Sequence, residues 1–130
     1  GLPALLAEAD TLVCLLPLTD ETRGFLGAAT FAQLPRGAHV VNAGRGEHLD
    51  PDALLAALDS GQLSYATVDA TPQEPLPPEH ALWRHRNVLV TPHIATRTPA
   101  AAIARQTLEN LKTVQEGRRP DTCADAALGY

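Results

Sequence analysis

Thr11-Leu12-Val13-Cys14-Leu15-Leu16 is an apolar run closed by Pro17. Its length suits a strand, and the lack of polar alternation suits a parallel strand covered on both faces. Just upstream, Leu2, Leu5 and Leu6 share one face of a helix over residues 2–9. Downstream, a short helix turns Phe31 and Leu34 inward, and Pro35-Arg36-Gly37 makes a turn. Ala38-His39-Val40-Val41-Asn42 is a second strand. Asp50 then caps a helix with Pro51 at its first position, Leu54, Leu55 and Leu58 as its buried stripe and Gly61 as its stop. Residues 63–69 form a third strand and Val88-Leu89-Val90 a buried fourth. Between these two, residues 71–86 are proline-rich and without regular structure, and loops of that length are usually functional. Residues 99–116 are a helix with Ile103, Thr107, Leu108, Leu111 and Val114 on one side. Gly117 caps it and a polar tail follows.

Strand, helix, strand, helix, strand, loop, strand is the pattern of a parallel α/β sheet. The strand count is that of the second half of a doubly wound sheet. In the common strand order of such sheets the fourth strand pairs with the first across the switch point. Residues 12–16 take the place of that fourth strand, so one of its edges is expected to be open.

The composition narrows the function classes. The chain has 130 residues, 45% of them hydrophobic, which suits one compact domain with a real core. A net charge of −5 without runs of like charge argues against nucleic acid or an anionic membrane surface as a partner. Cys14 and Cys123 make neither a disulfide framework nor a metal-ligand spacing, so no metal is expected, and both fit a reducing cytoplasm. No segment reads as a membrane span or a signal peptide. The chain opens on Gly1 in helix-like sequence and contains no Met, which reads as a piece of a longer protein.

Candidate chemistry lies just past the strand ends, where open α/β sheets bind their ligands. Thr91-Pro92-His93-Ile94-Ala95 puts a histidine, the side chain best suited to proton transfer near neutral pH, after the fourth strand. Arg45, between Gly44 and Gly46, follows the second strand, and its guanidinium offers a fork for a carboxylate. Gly44-Arg45-Gly46 is no dinucleotide fingerprint, because Leu49 stands where the third glycine belongs. Asp69 ends the third strand, where it is either a turn cap or a functional group. Glu74 follows in a loop stiffened by Pro72, Pro75, Pro77 and Pro78, and Trp83 reads as that loop's packing anchor. A carboxylate beside a histidine orients it and favours the imidazolium. With an arginine to hold an anion, this trio suits proton transfer to the carbonyl oxygen of a 2-oxo acid.

Three blocks carry a family resemblance: Asn42-Ala43-Gly44-Arg45-Gly46, Asp69 with Glu74-Pro75-Leu76, and residues 87–95 with Pro92-His93. In order and spacing they resemble the D-isomer-specific 2-hydroxyacid dehydrogenases. Leu76-Pro77-Pro78-Glu79-His80-Ala81-Leu82-Trp83 and the Gly129-Tyr130 ending look most like the bacterial glyoxylate/hydroxypyruvate reductase A branch. The resemblance implies an α/β chain that is the second half of a Rossmann-type parallel sheet. Residues 1–98 would be the C-terminal half of an NAD(P)-binding domain. Residues 99–130 would be a helix and tail returning to a substrate domain outside this sequence. The implied activity is reduction of glyoxylate or hydroxypyruvate to a D-2-hydroxy acid with NAD or NADP as the coenzyme, in a cytoplasmic homodimer.

In that reading Arg45 binds the substrate carboxylate and 2-oxo oxygen, and His93 is the general acid in reduction and the base in oxidation. Glu74 hydrogen-bonds His93 and keeps it protonated. Asp69 accepts a hydrogen bond from the nicotinamide carboxamide, and Pro17, Asn42, Ala43 and Gly44 line the nicotinamide side together with His93. Ala70-Thr71 depart from the apolar and aromatic pair usual after the aspartate. Two other readings stay open: a non-catalytic remnant of such an enzyme, and a corepressor-like binding protein of the same fold.

Overall fold

The computed structural model describes residues 1–124. The Gly129-Tyr130 ending lies outside the described residues. The chain divides into two compact units, Gly1–Ala95 and the segment from Thr96 onward.

In the first unit, helix α1 (Leu2–Glu8) opens with Pro3 in its first turn and leads into strand β1 (Thr11–Cys14). Helix α2 (Ala28–Phe31), strand β2 (Ala38–Asn42), helix α3 (Pro51–Asp59), strand β3 (Leu63–Val68) and strand β4 (Val88–Val90) follow. All four strands are parallel, in the order β1-β2-β3-β4. β1 is thus an edge strand with one side unpaired among the described residues. It ends at Cys14, two residues short of the apolar run. Cys14 is the partner of Asn42, the last residue of β2, so nothing extends the ladder beyond it.

α3 forms as its sequence dictates. The Asp50 carboxylate accepts hydrogen bonds from the Asp52 and Ala53 backbone N–H groups, both at 3.1 Å, which satisfies donors that have no partner inside the helix. Leu54, Ala57 and Leu58 face the core. Gly61, at φ +72°, turns the chain into β3.

The core occupies one face of the sheet. Leu12, Cys14, Val40, Ala66 and Val68 point into it and meet Leu26, Phe31, Leu54, Leu58 and Leu82. Each fully buried leucine there contributes roughly 2 kcal/mol by area. The opposite face is bare. In the row Val13, Val41, Thr67, Leu89, the two end residues are 50% and 48% exposed.

The expectation that β1 is covered on both faces and β4 buried is therefore corrected. Successive right-handed crossovers put their helices on the same side of a sheet, and the two that link β1 to β3 supply cover for one face only. In α1 likewise, Leu6 is buried while Leu2 and Leu5 are exposed. The 71–86 loop contains a short 3-10 turn, Ala81–Trp83. Its anchor is the fully buried Leu82, whereas Trp83 is half exposed, with its indole N–H donating to the Pro77 carbonyl at 3.0 Å.

The second unit is helix α4 (Ala100–Gln115), followed by Gly117 at φ +73°. Ile103, Leu108, Leu111 and Val114 of its apolar stripe are exposed, and the Thr107 hydroxyl turns back to donate to the Ile103 carbonyl.

An open strand edge beside a half-bare apolar face is a template for association. Expressed as these 130 residues, the chain should self-associate in sedimentation velocity. Val13→Lys combined with Leu89→Lys should return it towards monomer. An unsubstituted chain that sediments as a monomer at all concentrations would contradict this account of the bare face.

Candidate active site

Cys14, Asn42, Val68 and Val90 lie side by side in one row of the sheet. The four segments that follow them therefore leave the sheet at the same end, where parallel α/β sheets bind ligands. Every candidate site residue from the sequence lies in one of these segments, except Asn42, which ends β2 in the row itself.

Asp69 organises the last segment. Its carboxylate is buried and accepts three hydrogen bonds: from the Thr91 hydroxyl at 2.5 Å and from the Ile94 and Ala95 backbone N–H groups, both at 2.8 Å. The Asp69 carbonyl also accepts from the His93 N–H at 2.9 Å. Within this clamp His93 adopts φ +53°, the left-handed region. That conformation costs an L-residue about 1 kcal/mol, whereas hydrogen bonds to a charged group contribute roughly 1.5–3 kcal/mol each, so the clamp wins. Burial by itself would raise the Asp69 carboxyl. The bonds from Thr91, Ile94 and Ala95 outweigh it and hold the group below its ordinary value of 3.8.

His93 Nδ1 lies 3.0 Å from Glu74 Oε2, and Glu74 Oε1 accepts from the Thr71 N–H at 3.1 Å. A ring nitrogen facing a carboxylate carries the proton, which leaves Nε2 as the position for a ligand. The bond from His93 is the largest influence on the Glu74 carboxyl and lowers it from its ordinary 4.5, with Thr71 adding to the effect against a desolvation cost. Thr71, which departs from the family pattern, also donates its hydroxyl to the Gln73 carbonyl and so shapes the turn that presents Glu74. A cavity of about 210 Å³ opens beside the pair, lined among others by Asp69, Thr71, Glu74, Leu76, Trp83 and His93.

The Arg45 loop is joined to this region through backbone. The Asn42 side-chain amide donates to the Arg45 and Ala70 carbonyls, both at 3.0 Å, and accepts from the Gly44 N–H at 3.3 Å. Gly46 lies so close to residue 71 that a β-carbon there would sit 2.0 Å from the Thr71 carbonyl oxygen. The Arg45 side chain is exposed, and its Nη1 donates to the Gly44 carbonyl at 3.1 Å. It does not line the cavity beside His93. The structure thus brings Glu74 and His93 together and leaves the guanidinium folded on its own loop.

Among the residues expected to line the nicotinamide side, Pro17 is exposed and Ala43 partly so. Asn42 and Gly44 are buried. The Asn42 amide spends both its N–H groups in joining two loops. Sequence reasoning missed His48, whose ring is wholly buried under the Arg45 loop, and Thr91, which bonds Asp69. The signal for His48 was its place three residues after Arg45, ahead of the Asp50 cap, where a tight turn brings the two together.

Comparison with known proteins shows what this arrangement belongs to. Residues 1–95 match the family of the D-isomer specific 2-hydroxyacid dehydrogenase, NAD binding domain. The chain belongs to this family. It is 44% identical over 127 residues to glyoxylate/hydroxypyruvate reductase A of Serratia proteamaculans, spanning 98% of this chain and 41% of that protein. A D-isomer specific 2-hydroxyacid dehydrogenase from Xanthobacter autotrophicus, solved in complex with NADPH and MES, superposes with a TM-score of 0.93 at 43% identity. That match covers 99% of this chain and 53% of the other. The NADPH-dependent glyoxylate/hydroxypyruvate reductase from Sinorhizobium meliloti, with NADP and sulfate, gives 0.92 at 38% identity over all of this chain and 43% of that one. The chain therefore spans about two fifths of the length of the curated relative.

As a member of an NAD-binding family, the chain can be tested against the coenzyme's chemistry. Asp69 Oδ2 accepts one bond and keeps acceptor capacity for a carboxamide N–H, on the wall of the cavity that holds His93. The residues present fit the nicotinamide end. A glycine-rich turn opening a helix, which the phosphates require, is not found among the described residues. Gly46–His48 is only a three-residue 3-10 turn. The described residues also contain no cluster of metal-ligating side chains and no helix long and apolar enough to cross a membrane.

Both depressed carboxyls contribute stability that is present above their ordinary values and lost as pH falls through the folded ones. Asp69→Asn should cost about 2 kcal/mol near neutral pH, because an amide N–H₂ then faces a backbone N–H. The gap between Asp69→Asn and the unsubstituted chain should begin to narrow as pH drops below 3.8 and close as it falls through the lower value of the folded aspartate. Unfolding midpoints measured from neutral to acid pH check both statements, and a gap independent of pH would refute the clamp.

Proposed function

We propose that the protein carrying this chain reduces small 2-oxo acids, glyoxylate and hydroxypyruvate among them, to D-2-hydroxy acids, and that this chain supplies the proton donor and the anion clamp. The His93–Glu74 pair, 3.0 Å apart beyond the ends of adjacent strands, carries the reading. The names of the relatives with 44% and 38% identity support the substrate class.

The chemistry follows from the side chains. Arg45 leaves the Gly44 carbonyl to grip the substrate carboxylate through two parallel N–H···O bonds. His93 Nε2–H donates to the 2-oxo oxygen and polarises the carbonyl. A reduced nicotinamide, when bound, would supply the hydride that C2 takes up. As negative charge develops on the oxygen, the proton passes from His93 Nε2 to it, giving the hydroxy acid. Glu74, held by the Thr71 N–H, keeps the ring aligned through Nδ1–H and balances the imidazolium before transfer. In oxidation the same nitrogen takes the proton back. Asp69 would accept a hydrogen bond from the nicotinamide carboxamide, and Pro17 and Ala43 would line the same side of the cleft.

His93→Ala should lower kcat by about 10²–10⁴-fold with little change in substrate KM, the signature of a lost proton donor. Arg45→Lys should raise KM and lower kcat together, since an ammonium cannot reproduce the fork. Steady-state reduction of glyoxylate and hydroxypyruvate with NADH and with NADPH measures both. Near-normal turnover in either variant would remove that residue from the mechanism.

A further inference from the structure

His48 has no part in the reaction derived above, yet its ring is completely buried between two segments that do. Its Nδ1 accepts a hydrogen bond from the Arg45 backbone N–H at 3.1 Å. Its Nε2 lies 3.3 Å from the Pro17 carbonyl oxygen. A carbonyl only accepts and a backbone N–H only donates, so these two partners admit one form of the ring: neutral, with the proton on Nε2. Gly44 is matched to the ring, because a β-carbon there would sit 2.9 Å from His48 Nδ1 and 3.2 Å from its Cε1.

We propose that His48 is a positioning residue, a neutral Nε2–H bridge that fixes the backbone of the Arg45 anion clamp to Pro17 at the nicotinamide side of the cleft. Its consequence for catalysis rests on the reading of Arg45 and Pro17 given above, whereas the bridge itself does not. The two ends of the imidazole act on different ligands. The Nδ1 end sets the position of Arg45 and hence of the substrate carboxylate. The Nε2 end sets the Pro17 carbonyl and hence one wall of the coenzyme site.

The two ends separate by substitution. Asparagine places an oxygen near the position of Nδ1 and keeps the bond from Arg45, but it cannot reach Pro17. Glutamine places an N–H₂ near the position of Nε2 and keeps the bond to Pro17, but it leaves the Arg45 N–H unpaired. In the gene product carrying this chain, selectively ¹⁵N-labelled histidine should show His48 as the neutral Nε2–H tautomer. The Arg45 amide should be protected from hydrogen exchange in the unsubstituted protein and in His48→Asn, and lose at least tenfold protection in His48→Gln. An Nδ1–H tautomer, an imidazolium, or unchanged Arg45 protection in His48→Gln would overturn the bridge, whether or not the protein is active.

In steady-state kinetics His48→Gln should raise the glyoxylate KM about tenfold with the coenzyme KM little changed, and His48→Asn should do the reverse. A merely structural role would shift both constants together in both variants, and that result would overturn the assignment. An unsubstituted protein that reduces neither substrate would sink the proposed function and the kinetic role of His48 with it, while the exchange and tautomer measurements would still decide the bridge.

Discussion

The site depends on a shared ending. Parallel pairing without offset at the carboxyl end puts Cys14, Asn42, Val68 and Val90 in one row, and four chain segments turn away from the sheet together. A slip of one residue in any pairing would send a strand's buried side chains to the opposite face and carry its loop out of line. The one-sided core guards against that slip. Leu12, Val40 and Ala66 are all buried in the same row, so register is enforced by the same apolar burial that stabilises the fold.

Once the segments emerge together, buried polar groups hold them. Asn42 joins the loop after β2 to the loop after β3, Asp69 joins the end of β3 to the segment after β4, and His48 joins the Arg45 loop to the segment after β1. Each is a buried side chain whose partners are mostly backbone groups, at least one of them in a different loop. No buried side-chain nitrogen or oxygen among the described residues lacks a partner. Networks satisfied in this way rigidify, because breaking one bond leaves a desolvated group behind. The exposed members, Arg45, Glu74 and His93, are then free to face a ligand while their backbones stay fixed. Glu74 and His93 are nearly half exposed, so their pairing draws modest stability from Coulomb attraction, and its value lies in orientation.

The bare face of the sheet belongs to the same logic. A segment built from two crossovers covers one side and leaves Val13 and Leu89 half in water. The curated relative is more than twice as long as the stretch matched here, and the family model matches the first unit alone. The described residues hold the His93–Glu74 pair and contain no glycine-rich turn opening a helix.

The sequence by itself determined the strands, the capped helix α3 and the candidate residues at strand ends, because each is a local matter. A run of apolar residues, an Asp-Pro entry and a histidine after a proline carry their meaning within a few positions. The Glu74–His93 pairing was legible too, since both follow neighbouring strands. Only the tertiary structure decided what required distant partners to be counted. It showed that Asp69 clamps the His93 segment, that Asn42 bridges two loops from the interior, and that Leu82 anchors the long loop where Trp83 was expected to. It also showed that β1 and β4 are covered on one side only. Periodicity records which residues could be buried, but burial itself depends on which helices cross which face. A polar side chain declares its donors and acceptors in the sequence, and only the fold assigns the partners that use them up.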